Sequence, residues 1–129
     1  MKVKLSILLF SVLILTPISY ASANTKINIF QIFDQFLLSS HAASSCVKPE
    51  EKTLTNHLAN FKNVWDRTLQ ELIKKHSSKP KEYSLGLMNK RNKFLKTKIN
   101  EIVNKNGCKD SRIKTFIKLF NIQAEMKFG

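Results

Sequence analysis

Two cysteines, Cys46 and Cys108, bracket a stretch that reads as two long helices of similar length. No other feature restricts the fold as strongly. The first of these helices is expected from Pro49 or Glu50 to His76. Pro49 suits a first helical turn, and Glu50 and Glu51 suit the positive end of a helix dipole. Leu54, Leu58, Phe61, Trp65, Leu69 and Leu72 step by four, three, four, four and three, the spacing of a core stripe in a bundle, with Trp65 at its middle. Lys74 and Lys75 favour a C-terminal end there, and Ser77-Ser78-Lys79-Pro80 breaks the helix.

The second is expected from Glu82 or Ser84 to Lys105. Leu87, Met88, Phe94, Leu95, Ile99, Ile102 and Val103 fall on one face, and Asn106-Gly107 is a strong stop. Gly86 weakens the first turn and makes a later start plausible. Each helix is roughly 36–40 Å long at 1.5 Å per residue. A short loop joins them, so they should form an antiparallel hairpin. The end of the second then lies beside the start of the first, and Cys46 meets Cys108. A disulfide closing so long a loop is worth about 2–4 kcal/mol in the chain-entropy model.

Two more helical segments flank the hairpin. One is expected from Lys26 to Ser39, with Ile29, Phe30, Ile32, Phe33, Phe36 and Leu37 on a broad apolar arc opposite Gln31, Asp34 and Gln35. Ser39 to Pro49 is small and polar, lacks an apolar period, and reads as a linker. The other is expected from Asp110 or Ser111 to Lys127, either residue serving as a cap. Ile113, Phe116, Ile117, Leu119, Phe120, Ile122, Ala124 and Met126 cover most of its circumference. Such a helix is either central or leaves an apolar surface for a partner. Glycines are few and no alternating pattern persists, which argues against strands. The expected fold is all-α, a small four-helix bundle closed by one disulfide: an N-terminal aromatic helix added to a three-helix up-down-up core.

The first residues carry a sorting pattern. Lys2 and Lys4 precede the uncharged run Leu5 to Leu15, Pro17 follows, and Tyr20-Ala21-Ser22-Ala23 offers the small residues that a signal peptidase reads. Residues 1–23 are read as a signal peptide cleaved after Ala23, and residues 24–129 as one helical domain. The apolar run falls short of the roughly 20 residues that span a bilayer. No transmembrane segment is expected after cleavage, and the protein is expected to be exported, periplasmic or extracellular, where a disulfide persists.

Little in the chain suggests catalysis. His41 lies in the linker, His57 on a helix edge and His76 at a helix end, so each reads as a single exposed histidine. His57 and His76 are about 28 Å apart along one helix and cannot share a ligand. No metal spacing, Gly-x-Ser-x-Gly elbow or glycine-rich phosphate loop occurs. The carboxylates are scattered apart from Glu50 and Glu51, which suit a first helical turn. No catalytic residue, cofactor or metal ligand is nominated.

Charge is the exception. Without Lys2 and Lys4 the chain keeps 20 basic against 9 acidic side chains, a net charge of +11. Lys74, Lys75, Lys79, Lys81, Lys90, Arg91, Lys93, Lys96 and Lys98 cluster with a single acid, Glu82, among them. Lys90, Lys93 and Lys96 fall away from the core stripe. Arg91 and Lys98 fall near it, either snorkelling past apolar neighbours or lining a groove for an acidic ligand. A solvated outer face accounts for such a cluster, as does an anion-binding one. Exposed aromatics and recognised motifs are missing from the pattern, so sequence-specific nucleic-acid binding is not expected.

The functional expectation is a small basic exported binding protein, not an enzyme, that meets an anionic surface or an acidic protein. One alternative is an interaction or homo-oligomerisation module using the apolar surfaces of the first and fourth helices. Another is a secreted host-directed or membrane-active effector.

Overall fold

A computed structural model describes residues 28–128, so the signal peptide expected over residues 1–23 and its expected cleavage site lie outside the described residues. Among the described residues four helices follow one another: α1 Ile29–Cys46, α2 Glu51–Lys75, α3 Lys81–Asn106 and α4 Ser111–Ala124. No strand occurs among the described residues. The chain is an all-α four-helix bundle. Cys46 and Cys108 are joined, with their Cα atoms 5.7 Å apart. The disulfide ties the end of α1 to the end of α3. At the opposite end, Lys75 of α2 lies over the ring of Phe30 near the start of α1. α1 and α3 therefore run toward the disulfide, and α2 and α4 away from it.

The largest departure from the sequence reading is the supposed linker. α1 starts at an Asn28 cap, whose Oδ1 accepts the Phe30 amide at 2.9 Å. It then continues unbroken through Ser39 to Cys46. This stretch has no large apolar residues because its buried face is built from small ones: Ser39, Ala42 and Ala43 are almost wholly enclosed. Small side chains let neighbouring backbones approach, and Ala42 packs with Ile99 of α3 and Ile113 of α4. Phe33, Phe36 and Leu37, nearer the start of α1, pack with Val64, Met88 and Leu95. α1 thus touches all three other helices, and α3 rests mainly on α1.

The α2 stripe is also rotated from its expected phase. The buried residues are His57, Val64 and Thr68. Phe61, Trp65, Leu69 and Leu72 pack at the margin of the core, Trp65 edge-on to Phe33 with centroids 5.5 Å apart. Leu54 and Leu58, expected inside, are exposed. On α3, Met88, Leu95 and Ile99 are buried as expected, but Phe94 is half exposed. Gly107 ends α3 at φ 79°, the left-handed region that glycine enters cheaply. α4 stops at Ala124 rather than Lys127, and the Asn60 side-chain amide donates to the carbonyls of Gln123 and Met126 at that end.

Candidate anion-binding face

The hairpin places the cationic residues at the end of the bundle opposite the disulfide and along α3. Lys74 and Lys75 close α2, Lys79 lies in the turn, and Lys81 opens α3. Lys90, Arg91, Lys93, Lys96 and Lys98 follow on α3, and all nine side chains are exposed. Two of the nine have acidic partners. Lys74 reaches Glu71 at 3.5 Å across one helical turn. Arg91 grips Asp34 of α1 with two hydrogen bonds, from Nε at 2.9 Å and from a terminal nitrogen at 2.7 Å. The acidic group that Arg91 meets is thus within the chain, and the pair joins α3 to α1. Lys75, Lys79, Lys81, Lys90, Lys93, Lys96 and Lys98 have no acidic partner among the described residues.

The helix does not present its cations evenly. At 100° per residue, Lys90 and Lys93 project outward, Lys96 lies on one flank, and Arg91 and Lys98 lie on the other, close to the packed face. That second flank also carries two exposed aromatics, Tyr83 and Phe94, at 40% and 50% of full exposure. The sequence reading counted Phe94 as core and did not single out Tyr83. The available signal was their separation of 11 residues, three turns of helix, which sets both on one line. Each ring is attended by cations: Lys79 lies 5.3 Å from the Tyr83 centroid. Arg91 and Lys98 each lie 5.3 Å from that of Phe94. His76 meets the edge of the Tyr83 ring at 5.2 Å. The exposed aromatics expected to be missing are therefore present beside the cluster.

A second polar site is internal, and it corrects the reading of His57 as an exposed edge residue. His57 is fully buried. Its ring stacks on Phe120 of α4 with centroids 4.0 Å apart and lies 5.1 Å from Phe36 of α1. Nε2 is 2.9 Å from Oε1 of Gln123, and that oxygen also accepts the Ser39 hydroxyl. Nδ1 is buried without a partner. Burial pushes the imidazole below its ordinary pKa, against a smaller opposing effect of the Gln123 hydrogen bond. Ser39, His57 and Gln123 tie α1, α2 and α4 together at one level. Helical spacing alone did not reveal the trio, because Ser39 fell in the supposed linker. His41, also assigned there, is helical and pairs with Asn92 of α3 at 2.7 Å.

Clefts open on the surface of the described residues, two of them beside these groups. An open one of about 750 Å³ lies between α2 and the end of α4, with Lys52, Asn56, Asn60, Asn121 and Lys127 among its walls. A smaller apolar one of about 190 Å³ lies where α1, α2 and α3 meet, floored by Phe33 and Met88 with Arg91 at its edge. Among the described residues no group of histidines, cysteines or carboxylates is placed to hold a metal ion. No described helix is long and apolar enough to cross a membrane. No protein family model, no curated protein and no solved structure matches the chain.

Proposed function

We propose that this protein is a small exported binding protein, without catalytic activity, that uses the α3 side of the bundle to meet an anionic partner. One observation carries the reading. Seven lysines without acidic partners lie together at the tip of the α2–α3 hairpin and along α3. Pairing is as sparse elsewhere among the described residues, where Lys62 and Arg112 meet Asp66 and Asp110; what sets the cluster apart is its crowding, with Glu82 the single acid between Lys74 and Lys98. Unmatched like charges repel one another and give the fold nothing, whereas they attract an anion over a Debye length of about 8–10 Å. Export is supported by the disulfide together with the signal-like first residues.

The alternative of a partner surface on the first and fourth helices has less support. The aromatic face of α1 is spent inside the bundle, and the large exposed apolar residues of the fourth-helix segment are Ile122 and, just past the end of α4, Met126.

Retention of the mature, oxidised protein on immobilised heparin tests the charge reading. Replacing Lys90, Lys93, Lys96 and Lys98 by Gln should lower the eluting salt concentration substantially. A control that removes the same charge from exposed lysines outside the cluster, Lys52, Lys109, Lys114 and Lys118 to Gln, should lower it less. Equal effects of the two sets would show that net charge alone matters and would remove the case for a defined face.

A further inference from the structure

We infer that the anionic partner is a phospholipid surface, met by a ridge along α3 formed by Tyr83, Lys90, Phe94 and Lys98. The inference rests on the charge reading above and adds the aromatic residues to it. Tyr83 and Phe94 lie within about 20° of one line along the helix and about 16 Å apart, at 1.5 Å rise and 100° per residue. Lys90 falls between them, about 40° from Phe94 on the same projection. The ridge therefore alternates ring, cation, ring, cation. Both rings are exposed on this flank, although Arg91 on it is tied to Asp34 of α1 and His76, at the end of α2, meets the edge of the Tyr83 ring.

The geometry favours a flat partner over a flexible strand. Proteins that hold single-stranded nucleic acid combine a basic groove with aromatic faces open for base stacking. Here the ridge is convex, and neither cleft includes Tyr83 or Phe94. The ring faces are already attended by Lys79, Arg91 and Lys98. A base would have to displace those cations. A headgroup layer would not: a ring entering between headgroups carries its attendant cation to the depth of the phosphates. Aromatic rings and lysines together are the usual anchors of a helix lying in a membrane interface. The helix need not turn an apolar stripe outward, because its buried face stays in the bundle and only the two rings enter.

Cosedimentation of the mature oxidised protein with vesicles tests this, using phosphatidylcholine alone and phosphatidylcholine mixed with phosphatidylglycerol. The expected result is binding to the mixed vesicles and little to the neutral ones. Phe94→Ser and Tyr83→Ser should each weaken it several-fold, up to about tenfold for Phe94. Lys90→Gln should weaken it roughly fivefold, the value of one cation at an anionic surface. All three positions are exposed, and circular dichroism of each variant confirms that it folds. A second readout separates insertion from simple attraction. In Phe94→Trp the new indole should be quenched by brominated lipid, well beyond any quenching of Trp65 in the parent. Vesicle binding that ignores both Ser variants, with no added quenching, overturns the ridge. Binding to heparin or to a single-stranded oligonucleotide with no vesicle binding overturns the lipid partner and leaves the charge reading standing. Loss of all three ends both.

Discussion

Acidification should destabilise the bundle through His57, and the size of the effect has a ceiling set by one proton. The imidazole is enclosed by Phe36, Phe61 and Phe120, with Nε2 committed to Gln123 and Nδ1 facing no acceptor. Charging the ring adds a donor at Nδ1 that nothing receives, in surroundings that solvate it poorly. Stacking on Phe120 returns part of that cost, but the net effect of burial is to lower the folded-state pKa. The unfolded chain, whose histidine titrates near 6.5, therefore binds the proton first. Stability is intact above about pH 6.5 and falls as the pH drops below it, until the folded-state imidazole also charges. Within that window the slope cannot exceed about 1.4 kcal/mol per pH unit. Between pH 6.5 and 5 the loss is then at most about 2 kcal/mol, a large share of the roughly 5–15 kcal/mol of a small domain.

Urea unfolding followed by circular dichroism at pH 7.5, 6.5, 5.75 and 5 measures this directly. A loss of that size moves the midpoint by about 1–2 M, given a urea slope near 1–1.5 kcal/mol/M. The informative comparison is with His57→Gln, which is less stable at neutral pH but has no proton to take up. Its midpoint should change less over this range, so the two curves converge on acidification. All other titrating groups are common to both proteins and cancel. Parallel curves would refute the argument, because they would mean that protonated His57 is accommodated without cost.

Four further outcomes follow from the packing. Replacing both cysteines by Ser should cost about 4 kcal/mol in urea unfolding, from the 62-residue separation of the bridged pair in the chain-entropy model; a loss below about 1 kcal/mol would show that the reduced chain is already constrained. Ala42→Leu should destabilise by about 1–3 kcal/mol or more, since Ala42 has no exposed surface and touches Ile99 and Ile113; a neutral result would contradict the close approach of α1 to its neighbours. Asp110→Ala should cost about 1 kcal/mol, because Asp110 caps α4 by accepting the Arg112 amide at 2.8 Å. The Arg112 guanidinium also holds the Asp110 carboxyl well below the usual carboxylate range, so this contribution should persist at neutral pH and be lost only in strong acid. A double-mutant cycle on Asp34 and Arg91 should give a coupling of at most about 1 kcal/mol, because the pair is open to solvent despite its two-pronged geometry.

Helix number, the antiparallel hairpin and the disulfide were legible in the sequence because each rests on local or covalent rules. Gly107 and Asp110 end and start their helices through backbone geometry and capping, which depend on neighbours in the chain. The candidate face was half legible. Charge clustering is visible in one dimension, but exposure is not, and Phe94 looks like any other apolar residue at helical spacing until its neighbours are known. The polar trio at the core was not legible, since Ser39, His57 and Gln123 are far apart in sequence and nothing in the residue types favours burial.

Three of these misreadings share one cause. The linker expected from Ser39 to Pro49 is helical as far as Cys46, because the stretch packs through the small residues Ser39, Ala42 and Ala43 instead of large apolar ones. Ending α1 at Ser39 removes the part of it that lies against Ile99 and Ile113, and the three later helices must then pack on one another. In that arrangement Leu54 and Leu58 belong inside α2, and Phe94 inside α3. Extending α1 to Cys46 restores a central helix along most of the bundle. α2 then buries His57, Val64 and Thr68, and α3 lays Ser84, Met88, Leu95 and Ile99 against the core. His57 is buried in this arrangement and Phe94 is exposed among the lysines. A helix lengthened by small residues thus decides where the bundle hides its polar core and where it shows its charged ridge.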